Sequence, residues 1–286
     1  MPERTVRSLL HHRTPGAILV ILLTVSPSFL LCQDIPERND RAGTSAWCVL
    51  AADGADFFRT AGTIFTSPLH FTESDWLATG AVLGATALLL TADEPGLRAA
   101  RRNQSVRAND FFLVGERYGQ YEYGLGFSGA LYAGGLIFGS REVRETGLML
   151  VESITYAGAV TTVIKVAAGR SRPMTGEGNL RFHGFQFQDI YNSLPSGHTT
   201  VAFAISSVLA ERLKNTWASV GLYSLAAITV GSRIYHQDHW VSDTFLGAAV
   251  GMSIGMAVVH LHDPNDRGTS LHLIPAPGGL TAELRF

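Results

Sequence analysis

Apolar and polar residues in this chain are sorted into long blocks rather than alternating at every second position. Six blocks, 76–92, 123–139, 146–168, 198–210, 216–232 and 244–260, hold almost only apolar and small residues. Runs of this length outlast an ordinary strand and read as helices. They lie near the length that crosses a bilayer, ~20 residues with ~17 as the lower limit. Their many Gly, Ala and Thr residues suit either close-packed membrane helices or buried helices of a soluble all-α domain. The pattern predicts an all-α fold, a six-helix bundle over 76–262, and the transmembrane reading is the one carried forward. Small residues recur at spacing four, at Gly80 and Gly84 and again at Gly247, Gly251 and Gly255. Both stripes are expected to be helix-packing faces.

The flanks differ. Arg4, Arg7 and Arg13 precede the apolar run 16–32, so 1–32 is expected to be a signal peptide or a retained anchor. Residues 33–75 read as a polar linker followed by one amphipathic helix within 46–71. The connection 92–122 carries Arg98, Arg101, Arg102, Arg107 and Arg117 and is expected to hold a short amphipathic helix. The tail 263–286 has two short runs about a Pro-Gly-Gly turn, which predicts a β-hairpin.

Composition narrows the partners. The formal net charge is −2, so there is no basic field for nucleic acid. Charged residues make up 16 % of the chain, low beside the usual ~25 % of a soluble domain. Cys32 and Cys48 are too few for a disulfide framework, and the sequence has no Cys/His cluster of zinc-site spacing. The chain has 20 Arg and two Lys, Lys165 and Lys214, so a Lys at a special place points to chemistry that Arg does not supply.

Three short pieces carry candidate chemistry. The block 146–168 runs into "VIKVAAGRSRP", where Lys165 and Arg172 would stack on one face, two turns apart, if the helix continued. A basic cap on a helix C-terminus is the plainer alternative. The next helix opens at "YNSLPSGHTT". Asn192 or Ser193 can cap it, and Pro195 fits its first turn. The N–H groups of Ser196, Gly197 and His198 would then face outward as an anion site. The fifth block ends "VGSRIYHQDHWVSDTFLG", with Arg233 at its end and His239 and Asp243 four apart. At that spacing the carboxylate can fix the tautomer of the ring, although such pairs are often structural. His236 and Asp238 read as loop residues, and Glu152 as a structural acid opening its helix at the far end. Arg170 either lines the pocket or packs beside it.

Helix direction then joins the pieces. Successive helices alternate in direction, so all three motifs fall at one end of the bundle and the loops "SREVRE" and "ERLKNT" at the other. Lys165-x6-Arg172-Pro173, Pro195-Ser196-Gly197-His198 and Ser232-Arg233-x5-His239-x3-Asp243 together resemble the three-part signature of the type-2 phosphatidic acid phosphatase / vanadium haloperoxidase superfamily. The apolar helices resemble those of its membrane-bound lipid phosphatases. The resemblance covers 76–262 and leaves the N-terminal 75 residues and the tail outside.

The resemblance implies a phosphatase in which His239 is the nucleophile and forms a phosphohistidine. It implies that Asp243 orients His239 and that His198 protonates the leaving oxygen and then activates water. Lys165, Arg172, Ser196, the Gly197 N–H and Arg233 would hold the phosphoryl oxygens. No metal and no other cofactor is expected, because the three cations and the helix end carry the charge. The expected partners are a lipid or isoprenoid phosphate and the membrane, with no nucleic acid. Phe182, Phe185, Phe187 and Tyr191 would contact the substrate's chain or merely pack. A soluble exported acid phosphatase, a vanadium-dependent haloperoxidase and a silent membrane binding protein are the competing readings. The loop charges favour a cytoplasmic site by the positive-inside rule. The resemblance favours an extracytoplasmic, periplasmic one in a bacterial-type cell envelope, and that is the expectation adopted.

Overall fold

A computed structural model describes residues 46–262 and the backbone of 270–276 and 279–285. The expected targeting segment 1–32 and the first part of the linker lie outside the described residues. The chain divides after Ala51 into two compact units. The first is described only over Ala46–Ala51, where Cys48 is disulfide-bonded. Everything below concerns the second.

Eight helices are described: α1 Ala46–Thr66, α2 Glu73–Arg102, α3 Val106–Tyr118, α4 Tyr121–Ile137, α5 Arg141–Ala168, α6 Gly197–Leu213, α7 Thr216–Tyr235 and α8 Val241–His262. The six apolar blocks lie within α2 and α4–α8, while α1 and α3 are the two amphipathic additions. Two strands, β1 Ser270–Ala276 and β2 Gly279–Arg285, pair antiparallel with Ser270 opposite Arg285 and Ala276 opposite Gly279. Helix starts follow local chemistry. Thr72 and Asp75 form a reciprocal capping box before α2, and Ser105, Ser140 and Asn215 cap α3, α5 and α7 with side-chain oxygens. Two ends differ from expectation. α2 does not stop at residue 92 but runs through Pro95 to Arg102, losing one backbone donor on the way. α5 begins at Arg141, so Glu152 lies in mid-helix, fully buried, with its Oε2 2.6 Å from Nε2 of His262 on α8.

α2, α5 and α8 are long and apolar enough to cross a membrane. The packing is inverted relative to a soluble bundle. Ser128, Thr199, Thr200, Ser206, Ser207 and Thr229 are fully buried, whereas Leu88, Val163 and Trp217 are exposed. Buried hydroxyls satisfy themselves on backbone carbonyls, as Ser128 does on Gly124 at 2.7 Å and Thr229 on Gly115 across to α3 at 2.7 Å. Small polar residues inside and large apolar ones outside is the arrangement that lipid favours. Trp76, Phe138 and Trp217 are exposed at the end where α2 and α7 start and α4 stops, as aromatic side chains at a membrane interface are.

The two glycine stripes part company. A Cβ on Gly247 would lie 2.6 Å from the Ser196 carbonyl, one on Gly255 2.9 Å from that of Ala204, and one on Gly251 would overlap the Thr200 carbonyl. These three bring α8 directly onto α6. Gly80 and Gly84 meet nothing within 4 Å, so their stripe is not a packing face within the described residues. Gly251→Leu is therefore expected to destabilise the protein by roughly 2–3 kcal/mol or more through overpacking. Gly84→Leu should stay within ~1 kcal/mol, the scale of a helix-propensity change. Thermal unfolding in detergent, read side by side for the two variants, checks the contrast.

Candidate functional site

Lys165 sits in the last turn of α5, which ends at Ala168. Gly169 takes the left-handed conformation (φ 59, ψ 38), and a Cβ there would lie 2.6 Å from the Gly184 nitrogen. Only glycine fits that turn. The helix therefore does not continue under Arg172, and the expected two-turn stacking does not form. An extended segment instead carries Arg172 back. The Ser171 N–H donates to the Arg181 carbonyl and the Arg172 N–H to that of Ile190, each at 3.0 Å. The Lys165 ammonium donates to the Asn192 carbonyl at 2.5 Å. The Arg172 guanidinium bonds Asp189 through its carbonyl (2.8 Å) and its carboxylate (2.7 Å). That carboxylate is exposed, so solvent screens the pair.

The start of α6 is built differently from the sequence expectation. Pro195 precedes the helix, behind a cis Leu194–Pro195 bond, and Ser196 is the N-cap with no capping bond from its side chain. The Ser196 N–H does not face outward, because it donates to the Asp243 carbonyl at 2.9 Å. The first intrahelical bond runs from Thr200 N–H to Ser196 C=O, which leaves the N–H groups of Gly197, His198 and Thr199 without intrahelical acceptors. What a Cβ on Gly197 would meet is the Lys165 side chain at 3.8 Å, so this helix end abuts the ammonium. Helix end and cation together form an anion site.

His239 lies in the turn between α7 and α8 and is almost fully buried. Its Nδ1 is 2.8 Å from the Ser193 carbonyl. A carbonyl only accepts, so Nδ1 carries the hydrogen and Nε2 keeps its lone pair. The nearest approach of His239 Nδ1 to Asp243 Oδ2 is 3.7 Å, beyond hydrogen-bond range. Asp243 thus does not orient His239 directly, because other donors occupy its oxygens. Oδ1 accepts from Arg170 at 2.5 Å, and Oδ2 accepts from the Ser193 hydroxyl at 2.5 Å and from the Trp240 N–H at 2.9 Å. Burial, and then the charges of Lys165, Arg172, Arg233 and His198, hold the His239 pKa well below 6.5. The ring is therefore a neutral, lone-pair base in a cationic surround.

Arg233 is buried at the end of α7 and pairs with Asp238, while its Nε has no hydrogen-bond partner. Asn192 Oδ1 is likewise buried and unpartnered. His236 is tied to Ser232 (3.2 Å) and Asn109 (3.1 Å) and serves the turn. Arg170, left open by the sequence, lies outside the pocket. It is fully buried, with its guanidinium between Asp93 (2.6 Å) and Asp243 (2.5 Å). Three participants escaped sequence reasoning. Asp93 stands just past an apolar block, and a carboxylate at such a border was the signal. Ser193 was weighed only as a helix cap, and Ser242 only as a neighbour of Asp243.

Residues 146–267 match the model of the PAP2 superfamily. This part of the chain is a PAP2 domain. Over 117 residues the chain is 35 % identical to a lipid A 1-phosphatase of Porphyromonas gingivalis, covering 39 % of this chain and 23 % of that protein. It is 26 % identical over 137 residues to a PA-phosphatase related-family protein of Dictyostelium discoideum, covering 43 % and 51 % respectively. The chain thus spans half or less of the lengths of these curated relatives. The first transmembrane PAP2-type phosphatidylglycerolphosphate phosphatase of Bacillus subtilis shares the fold, with a TM-score of 0.50, 19 % identity, and 76 % of this chain and 97 % of that one covered. The PAP2 match takes in Lys165, Arg172, the start of α6, Arg233, His239 and Asp243. Asp93, on α2, lies outside it.

Lys165→Arg is expected to weaken binding of inorganic vanadate, a tetrahedral oxyanion. The planar fork is larger than the ammonium that fits between the Asn192 carbonyl and Gly197. A lost charge-assisted hydrogen bond is worth ~1.5–3 kcal/mol, so affinity should fall roughly ten- to a hundredfold. Equilibrium titration of the purified protein reads it, and unchanged affinity would reduce Lys165 to a helix cap.

Proposed function

We propose that the chain is a metal-independent phosphatase of the cell envelope, acting on a lipid or prenyl phosphate or pyrophosphate through a phosphohistidine on His239. The observation that carries this reading is one local arrangement. A neutral imidazole with its tautomer fixed is surrounded by Lys165, Arg172, Arg233 and the open N-terminus of α6. Three cations and aligned backbone N–H groups suit a dianion that spreads charge over its equatorial oxygens in the transition state.

The steps follow from the groups present. Nε2 of His239 attacks phosphorus as the bond to the leaving oxygen breaks, and His198 gives that oxygen its proton. The substrate's negative charge offsets the surrounding cations and so favours the imidazolium form of His198 before transfer. His198, now neutral, takes a proton from water, whose oxygen attacks the phosphohistidine. The P–N bond breaks, inorganic phosphate leaves, and His239 is again neutral. Ser196, fully buried and tied to Thr199 at 3.1 Å, belongs to the cradle through the helix end it caps. The Gly197 N–H, Lys165, Arg172 and Arg233 would hold the phosphoryl oxygens.

A lipid substrate is supported by the apolar exterior of the helices, by the exposed Phe185 and Phe187 on the loop that carries Arg172, and by the similarity to a lipid A 1-phosphatase. A disulfide on Cys48 is in keeping with an oxidising compartment, as an envelope protein would meet. The site is proposed to face the periplasm. Labelling of Leu180→Cys in intact cells by a membrane-impermeant reagent reads its side, and labelling only after lysis would place it in the cytoplasm.

The two histidines separate by leaving group. General acid catalysis is worth ~10²–10⁴-fold, and an alkoxide needs it while a nitrophenolate does not. In EDTA throughout, His198→Ala is expected to lose much more activity on a lipid phosphate than on p-nitrophenyl phosphate. His239→Ala should be inactive on both and should form no labelled phosphoenzyme. Pre-steady-state bursts would confirm that transfer to His239 is rate-limiting. Equal losses for His198→Ala on the two substrates would then remove it as the acid, and dependence on added Mg²⁺ would overturn the mechanism.

A further inference from the structure

Behind His239, away from the cations, lies an unbroken relay of buried hydrogen bonds. Asp93 accepts from Arg170 at 2.6 Å, from the Ser242 N–H at 2.9 Å and from the Ser242 hydroxyl at 2.8 Å. Arg170 also donates to the Ser242 hydroxyl at 2.8 Å and to Asp243 at 2.5 Å. Asp243 accepts from the Ser193 hydroxyl at 2.5 Å, and the Ser193 carbonyl faces His239 Nδ1 at 2.8 Å. Arg170, Ser193, Ser242, Asp243 and Asp93 are all buried. Each link leaves the next with one arrangement in which its donors and acceptors are satisfied.

We infer that Asp93 and Arg170 are positioning residues for the nucleophile: through Asp243 and Ser193 they hold the His239 ring with Nε2 turned to the phosphate site. The role is distinct from phosphate binding, since Arg170 is spent on Asp93, Ser242, Asp243 and the Asn179 carbonyl (2.6 Å). The inference rests on His239 as the nucleophile of the proposed reaction. It also has an electrostatic side. Two carboxylates about one guanidinium leave a net charge of −1 beside the ring. The other charged groups acting on His239 are Lys165 from α5, Arg172 from the 169–194 segment, His198 from α6 and Arg233 from α7. The triplet is the anionic counterweight to these cations.

Asp93→Asn brings the triplet to neutrality and frees Arg170 to draw Asp243 away from Ser193. Its kcat per folded enzyme is expected to fall about 10- to 100-fold, the scale of a displacement near 1 Å at a reacting group. KM should change little, because no phosphate contact is touched. ¹⁵N spectra of histidine-labelled protein, with the His239 signal assigned by its loss in His239→Ala, give a readout independent of turnover. In the wild type the His239 midpoint should lie below pH 6.5, with the Nδ1–H tautomer above it. Removing a negative charge disfavours the imidazolium, so in Asp93→Asn the midpoint should move lower and the tautomer become mixed. Ser242→Ala keeps all three charges. Its kcat should fall about two- to tenfold for the lost hydrogen bonds, with the midpoint unmoved. Wild-type kcat and spectrum in folded Asp93→Asn would overturn the inference. If that variant does not accumulate, wild-type kcat and tautomer in Ser242→Ala would do so. Failure of the wild type to cleave any phosphate ester would sink the proposed function, while the spectra would still decide this relay.

Discussion

A fully buried guanidinium, Arg170, held between two fully buried carboxylates is the interaction on which the rest of the site depends. Three charges out of water are costly singly, and removing one partner from such a group typically costs ~3–5 kcal/mol. The triplet therefore forms only when all its carriers arrive together. Asp93 comes from α2, Arg170 from the segment after α5, and Asp243 from the first turn of α8. Its formation fixes those elements at one end of the helices. Through the Ser193 hydroxyl and the Ser196 N–H, both bonded to Asp243, it also fixes the start of α6.

The same geometry divides two kinds of positive charge. Arg170 is neutralised within the framework and has no part in binding. Lys165, Arg172 and Arg233 meet only backbone carbonyls or a single acidic neighbour each, and the Arg233 Nε remains unpartnered. A dianion entering among these groups gains interactions in a place where water is scarce and Coulombic effects are large. His239 sits at the boundary, kept neutral by burial and by the cations yet backed by the anionic side of the triplet. A nucleophile that must become cationic when phosphorylated benefits from both faces.

Close helix packing makes this precision available. Gly247, Gly251 and Gly255 let α8 approach the α6 backbone, so Asp243 and the Ser196 amide meet without intervening side chains. Buried Ser and Thr hydroxyls close their hydrogen bonds on nearby carbonyls, and the large apolar side chains are left for the outside. At the other end of α5 the buried Glu152 is paired with His262, far along the helix from Lys165, and plays no part in the arrangement around His239.

The sequence by itself determined the all-α class, the position of every apolar helix, and the convergence of Lys165, Arg172, Ser196, Gly197, His198, Arg233 and His239 on one end. Hydrophobic blocks and their alternating direction are properties of the chain read locally, and they survive folding. Helix ends and hydrogen-bond partners are not local in the same sense. Whether α5 continues past Ala168 depends on Gly169 meeting Gly184, fifteen residues onward, and whether the Ser196 amide is free depends on Asp243. The spacing of His239 and Asp243 is equally compatible with a direct pair and with the observed 3.7 Å separation. Only the tertiary structure decided between them, because a carboxylate goes to the donors that burial brings nearest. Here those were Arg170, Ser193 and Trp240, while Asp93 reached them from α2 across a sequence separation no periodicity records.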